Sequence, residues 1–230
     1  MLAAGATDSV ARHGALEELC ETYWYPLYAY ARRTGSSRDD AADLVQQFFA
    51  MLLERGDFER ADPTRGRFRS WLLTALRNFA ANQRERRRAL KRGGERTLLS
   101  FDADEADSRF ASEPADARSP EQHFEWSWAK SVLEQALASL EAEQSRIGRS
   151  AHFEALLPAL SEDPDAEPHA HVAARLGVSE TSIKVALHRL RKRLGELVRE
   201  EVLATLADPA ELDEELARLR NALRGEGRAP

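Results

Sequence analysis

Apolar residues recur along this chain at helical spacings, and no segment alternates apolar and polar residues as a half-buried strand does. Three stretches show the spacing most clearly: Leu44, Phe48, Met51 and Leu52; Ile183, Leu187, Leu190 and Leu194; and Leu212, Leu216, Leu219 and Leu223. The pattern predicts an all-α protein. We expect two small helical domains joined by an acidic linker, a helix-turn-helix in the second domain, and a C-terminal extension helix.

Charge is segregated along the chain, although 33 basic and 39 acidic residues give a net charge of only −6. Residues 65–96 hold eleven bases and two acids, and residues 175–199 hold seven bases and two acids. Residues 102–125 hold eight acids and two arginines, and residues 200–216 hold seven acids and no base. The two basic segments predict two surfaces that bind polyanions.

Several classes of protein are disfavoured by the composition. No apolar run approaches the ~20 residues that a membrane-spanning helix needs, and the N-terminus does not resemble a signal peptide. Cys20 is the only cysteine, which favours a reducing cytoplasm, and we expect it to be buried. His169 and His171 are two residues apart and do not share a helix face, so we expect no metal there. We expect no cofactor, no catalytic residue and no enzymatic activity.

Prolines and changes of charge divide the chain into four parts. We predict a first domain over residues 10–95 and an acidic linker over 96–120, flexible or only partly ordered because it has few large apolar residues. A second domain follows over 121–206, and an extension over 207–230. Within the first domain, Pro26 predicts a kinked or divided first helix. Asp208 and Pro209 predict the start of the last helix.

The segment from Val172 to Leu194 has the order of helix-forming, turn and capping residues that is typical of a helix-turn-helix. Val172, Ala173 and Leu176 give a short apolar face, and Gly177 follows where a tight turn favours positive φ. Ser179 is a good N-cap for the next helix, which carries the stripe beginning at Ile183. The spacing therefore predicts two helices joined by a tight turn.

The second of these helices has a polar and basic face opposite its apolar stripe. At about 100° per residue, one group of side chains faces outward or flanks that face: Thr181, Ser182, Lys184, Val185, His188, Arg189, Arg191 and Lys192. Short residues near the start suit base edges, and flanking bases suit phosphates, so we expect this helix to bind DNA. The alternative is a solvated basic face on a core helix.

The first domain combines aromatic residues and arginines on one long helix. "FRSWLLTALRNFAAN" (68–82) is amphipathic, and "RERRR" (84–88) follows it. Rings that stack on bases beside arginines that hold phosphates suit single-stranded or melted nucleic acid. Trp71 and Phe79 are equally compatible with a role in the core.

Taken together, these motifs resemble bacterial RNA polymerase sigma factors of the sigma-70 family, specifically the extracytoplasmic-function (ECF) group. "DDAADLVQQFFAMLLE" resembles the helix that docks on the polymerase clamp, "FRSWLLTALRNFAANQRERRR" the −10 melting helix, and "VAARLGVSETSIKVALHRLRKRL" the −35 helix-turn-helix. The resemblance covers roughly residues 15–95 and 125–200. It implies promoter-directed transcription initiation, with core RNA polymerase and promoter DNA as partners.

The resemblance also implies roles for particular residues. It implies that Asp43, Gln46 and Gln47 contact the polymerase and that Phe49 lies in the core. Contact with −10 DNA falls on Arg77, Asn78, Arg84, Arg86, Arg87 and Arg88. Asn78 corresponds to a position that helps capture a flipped base, and the 55–67 loop shapes its pocket. Contact with −35 DNA falls on Thr181, Ser182, Lys184, Val185, His188, Arg189 and Arg191.

Four departures from the family pattern leave regulation open. Gln47 stands where an acid is usual, Asn82 stands where Asp is common, residues 141–168 contain an insertion, and a helix over 205–224 extends beyond the usual end. Because phosphate could supply a missing negative charge, a Ser/Thr kinase is one candidate regulator. An anti-sigma factor is another. The extension is expected to cap the second domain, or alternatively to shield the basic faces with its acids.

Two other functions remain open at this point. The chain could be a polymerase-independent helix-turn-helix regulator that dimerises through the leucine stripe of residues 209–223. It could also be an interaction protein whose acidic segments bind a basic partner. Neither alternative involves a membrane.

Overall fold

A computed structural model describes residues 9–55, 68–89, 103–113, 118–161, 167–206 and 208–224, and it is all-α over these ranges, as predicted. The helices are α1 (Ser9–Arg33), α2 (Arg38–Arg55), α3 (Phe68–Ala89), α4 (Ala103–Ser112), α5 (Pro120–Arg146), α6 (Ser150–Leu160), α7 (His169–Leu176), α8 (Glu180–Ala204) and α9 (Leu212–Arg224). Side chains of residues 9–19, 21, 55 and 84–89 lie outside the description.

The chain forms two compact units. The first comprises residues 1–131 together with 204–230, and the second comprises residues 132–203. The boundaries therefore fall within α5 and at the end of α8. These units do not coincide with the predicted domain boundaries, and the extension over 207–230 groups with the first unit. Whether the extension caps the second domain stays a prediction.

The first unit has an aromatic core. In it, α1 packs against α2 and α4, and α2 also contacts α3. The largest fully buried apolar side chains of this unit include Tyr23, Tyr28, Phe48, Phe49, Phe124 and Trp128. Cys20 is buried, as expected. Pro26 lies within a single helix rather than dividing it, and Gly35, at φ 94°, follows the end of that helix.

The acidic segment contains a helix that the sequence did not predict. Helix α4 packs on α1. Glu113, the residue after α4, accepts hydrogen bonds from Tyr25 Oη at 2.6 Å and from Arg33 at 2.9 Å. Asp107 accepts a hydrogen bond from Tyr28 at 3.0 Å. Because acids of residues 103–113 accept hydrogen bonds from donors on α1, this part of the acidic segment is anchored although it has few large apolar residues.

The second unit has an aliphatic core. Residues from α5, α6, α7 and α8 form one buried cluster: Ala136, Leu140, Phe153, Leu156, Leu160, Val172, Ala173, Ile183, Leu187, Leu190 and Leu197. On α8, Ile183, Leu187 and Leu190 of the predicted stripe belong to this cluster, and Leu194 is partly buried against it. This packing fixes which face of α8 is left exposed.

Candidate functional site

The face of α2 that carries the predicted docking residues lies opposite its core face. Asp43 is exposed, and Gln46 and Gln47 are half-buried. Because the three are separated by three and four residues, they share one side of the helix. Phe48 and Phe49 are buried on the other side, which confirms the core position expected for Phe49.

Gln47 also links two helices. Its Oε1 accepts a hydrogen bond from Gln83 Nε2 at 2.5 Å, which joins α2 to α3. An acid at this position would keep that acceptor oxygen. The departure at Gln47 therefore changes the charge of the surface without requiring a different contact between the helices.

On α3, the predicted −10 residues divide into three groups. Asn78 is exposed. Arg77 Nε donates to Tyr30 Oη at 2.7 Å, and the guanidinium also pairs with Glu121. The hydrogen bond to Tyr30 raises the pKa of Arg77 above its usual range. Arg84, Arg86, Arg87 and Arg88 lie in the last turns of α3, where side chains fall outside the description. Of the predicted base-pocket loop over 55–67, Arg55 ends α2 and residues 56–67 fall outside the description.

The apolar face of α3 is rotated from the predicted one. The sequence spacing predicts an apolar face made of Phe68, Trp71, Leu72, Ala75, Leu76 and Phe79. Of these, Leu72 and Leu76 are buried and the other four are half-buried, whereas Leu73 is buried as well. The reason is that α3 is covered on the side of residues 69, 72, 73 and 76, which follow the i, i+3, i+4, i+7 spacing. Arg69 lies on this buried side.

Arg69 is a buried cation that sequence reasoning missed. Its side chain is 1% exposed, and its Nε lies 2.5 Å from a carboxylate oxygen of Glu125. It also pairs with Glu215, whose side chain is 4% exposed, and its guanidinium lies 4.1 Å from the centre of the Trp128 ring. Its spacing could have indicated this burial, because Arg69 is three, four and seven residues from Leu72, Leu73 and Leu76 and so shares their helix face.

In the second unit, the turn between α7 and α8 has the local geometry predicted for it. Gly177 adopts φ 66° and ψ 30°, the left-handed region that favours glycine. The backbone N–H of Val178 donates to Ala173 O at 3.0 Å, which closes the end of α7. Ser179 Oγ accepts from the backbone N–H of Ser182 at 3.1 Å, so Ser179 supplies the expected cap.

Helix α8 exposes every residue predicted to contact −35 DNA: Thr181, Ser182, Lys184, Val185, His188, Arg189 and Arg191. Val185 is a large apolar residue left 44% exposed. Two of the cations have contacts within the protein. Lys184 Nζ lies 2.7 Å from Glu180, and Arg191 donates to Ala159 O at 2.7 Å.

A groove runs along one flank of α8. Its volume is about 560 Å³, and its walls come from the end of α5, the start of α6 and α8. The lining includes Arg149, His152, Val178, Ser182, Val185 and Arg189. The groove thus brings cationic, hydroxyl and small apolar groups together beside the predicted contact face.

Arg193, another base of α8, is engaged inside the second unit. Its Nε and Nη2 donate to the two carboxylate oxygens of Glu143 at 3.0 and 2.7 Å. Its Nη1 donates to Glu196 and Glu200 at 3.2 and 3.0 Å. The hydrogen bond from Arg193 holds the pKa of Glu143 below its usual range. Arg193 therefore attaches α8 to α5, so part of the basic run in the sequence is structural.

Comparison with known families adds one finding for the first unit. Residues 19–90 match the family model described as Sigma-70 region 2. This part of the chain is therefore similar to region 2 of the sigma-70 family of sigma factors. The matched segment contains α2 and α3, which carry the predicted docking and −10 residues. No curated protein and no solved structure matches the chain.

Within the part of the chain that the structure describes, no three His, Cys, Asp or Glu side chains are grouped so as to hold a metal ion. No described helix is both long enough and apolar enough to cross a membrane.

Proposed function

We propose that this chain is an ECF-type sigma factor that binds core RNA polymerase and directs transcription from promoters with −35 and −10 elements. The observation that carries the proposal is the match of residues 19–90 to Sigma-70 region 2. The turn at Gly177 and the exposed polar and basic face of α8 support a second, duplex-reading element in the same chain. As for sigma factors in general, we expect a cytoplasmic location.

In the proposed mechanism, the exposed side of α2 docks on the polymerase through Asp43, Gln46 and Gln47. Helix α3 then receives the −10 strand, with Asn78 near a flipped base and the arginines of residues 84–88 on phosphates. Unstacking a base costs a few kcal/mol, which contacts in a fitted pocket can offset. Because Arg77 is held by Tyr30 and Glu121, we assign it a smaller direct share of DNA binding than Arg84.

On α8, we expect different side chains to recognise the bases and to contact the DNA phosphates. We assign sequence choice to Ser182, Val185 and His188, and phosphate contact to Lys184 and Arg191, with Arg189 serving both. The exposed Val185 suits the methyl group of a thymine. Replacing that thymine by deoxyuridine should then weaken wild-type binding but leave a Val185→Ala variant nearly unaffected.

The experiment that tests the proposal measures promoter affinity with and without core polymerase. We expect weak binding by the chain alone and strong, promoter-specific binding by the complex with core enzyme. Tight, sequence-specific binding without polymerase would instead favour a helix-turn-helix regulator. If DNA binds in neither case, the proposal is wrong and an interaction protein is favoured.

A substitution at Gln47 tests whether phosphorylation or an anti-sigma factor is the better candidate for regulation. If the docking surface lacks a needed negative charge, Gln47→Glu should raise affinity for core polymerase, while its retained oxygen still accepts the bond from Gln83. Unchanged affinity would remove the basis for kinase regulation at this surface, and an anti-sigma factor and shielding by the extension would remain as candidates.

A further inference from the structure

The C-terminal helix α9 contributes a buried charge to the first unit. Glu215 lies in the first turn of α9, and its side chain is 4% exposed. Its partner Arg69 is the second residue of α3 and is 1% exposed. Two opposite charges that have both lost most of their water depend on each other far more than an exposed pair does.

Additional contacts hold the same segment to the first unit. The hydroxyl of Tyr23, in α1, is hydrogen-bonded to Thr205, just after α8, and burial raises the pKa of Tyr23 to about 12. Leu206 and Leu219 are buried. Asp208 accepts a hydrogen bond from the backbone N–H of Ala210 at 2.9 Å, which fixes the turn that leads into α9. The chain therefore returns to the first unit through polar and apolar contacts.

Arg69 links the start of α3 to both α5 and α9. Arg69 contacts α5 through Glu125 and Trp128, and α9 through Glu215. Asn78 lies nine residues further along the same helix, about two and a half turns away. Because a helix is rigid, fixing the position of its first turn also fixes the position of the residues further along it.

We infer that α9 is a positioning element for α3, and that the buried pair between Arg69 and Glu215 sets the placement of the proposed −10 helix. The inference rests on the proposed function for its effect on DNA. Neither residue is proposed to touch DNA or polymerase. Removing Glu215 would leave Arg69 with Glu125, whose side chain is 35% exposed, as its remaining carboxylate in the described part of the first unit.

The test uses the full chain and compares Glu215→Gln with Glu214→Gln. Glu214 is the matched control, because it lies on the same helix and pairs with Arg218 but is 66% exposed. Three readouts are taken: hydrogen exchange of α3 amides without DNA, affinity of the core-polymerase complex for a −35 duplex, and the rate of promoter opening reported by 2-aminopurine in the −10 element.

We expect Glu215→Gln to speed exchange at the start of α3 and to slow promoter opening, each by about tenfold or more, because the buried cation loses a charged partner. Its −35 duplex affinity should stay within about twofold, since surface changes away from a contact have small effects. The Glu214→Gln control should match wild type. A double Arg69→Met, Glu215→Leu variant should recover opening, because apolar residues can replace a buried pair.

The results that would overturn the inference are separate from those that would overturn the proposed function. The inference is wrong if Glu215→Gln matches the control, if duplex affinity and opening fall together, or if the double variant is as slow as the single one. If the wild-type chain fails to open promoters with core polymerase, the proposed function is wrong. Hydrogen exchange then still decides whether Glu215 anchors α3.

Discussion

The two units use arginine in opposite ways. In the first unit, Arg69 is 1% exposed and lies among two carboxylates and a tryptophan ring. In the second unit, Arg189 is exposed beside a groove on the proposed DNA face. A basic segment is therefore not uniformly a binding surface, because burial decides whether a charge stabilises the fold or contacts a ligand.

The largest expected effect comes from exchanging the same residue type in the two units. Arg69→Met takes from the buried Glu215 one of its arginine partners, while Arg218 stays 3.2 Å away. It should destabilise the first unit by about 3 kcal/mol, because a buried carboxylate then loses part of its compensation. Arg189→Gln should change stability by less than about 0.5 kcal/mol. All four tryptophans, Trp24, Trp71, Trp126 and Trp128, lie in the first unit, so denaturation followed by tryptophan fluorescence reports on Arg69 directly.

That pair of variants also has a DNA readout. Removing one phosphate contact lowers the slope of log affinity against log salt by about 0.9. We expect this change for Arg189→Gln on a −35 duplex and not for Arg69→Met. Equal destabilisation by the two variants would contradict the assignment of a structural role to Arg69 and a surface role to Arg189.

A smaller effect is expected at the turn of the second unit. Gly177 has φ 66°, and no atom lies within 4 Å of the place where a Cβ would be added. Substitution by Val therefore creates backbone strain without a steric clash, at a cost of about 1–2 kcal/mol. Asn tolerates this region and should cost less. Exchange of α7 and α8 amides measures both variants, and equal costs for Val and Asn would argue against strain as the cause.

Removal of the cap at the start of α8 should have a similar or smaller effect. Ser179→Ala loses the acceptor for the backbone N–H of Ser182, which typically costs about 1 kcal/mol. Ser179→Asp keeps an acceptor and serves as the control. We expect faster exchange at the first turn of α8 in the alanine variant only. No difference between the two would mean that the cap does not stabilise α8.

The weakest expected effect depends on pH. Because Arg193 lowers the pKa of Glu143 in the folded protein, the contribution of this carboxylate is present at neutral pH and is lost as pH falls below its usual range near 4.5. Glu143→Gln should flatten that acid-side loss in α5–α8 exchange while changing tryptophan fluorescence little. An unchanged acid profile would show that the pair adds no stability to the second unit.

Sequence reasoning succeeded where burial follows periodicity. In the second unit, the aliphatic stripe beginning at Ile183 and the turn at Gly177 were read correctly, since apolar spacing and φ preference are local properties. In the first unit, it missed the buried Arg69 and the anchored helix α4. Both depend on partners distant in sequence, such as Glu215 for Arg69 and Tyr25 for Glu113, and no local pattern encodes such a pairing. The predicted DNA and polymerase contacts remain predictions.

The central claim is that one chain reads two promoter elements on behalf of RNA polymerase. It is tested most directly by transcription from a randomised promoter library with purified core enzyme and the full chain. We expect transcripts that depend on the chain, from promoters that share two sequence blocks, and we expect Val185→Ala to alter only the upstream block. The absence of any transcript that depends on the chain would contradict it.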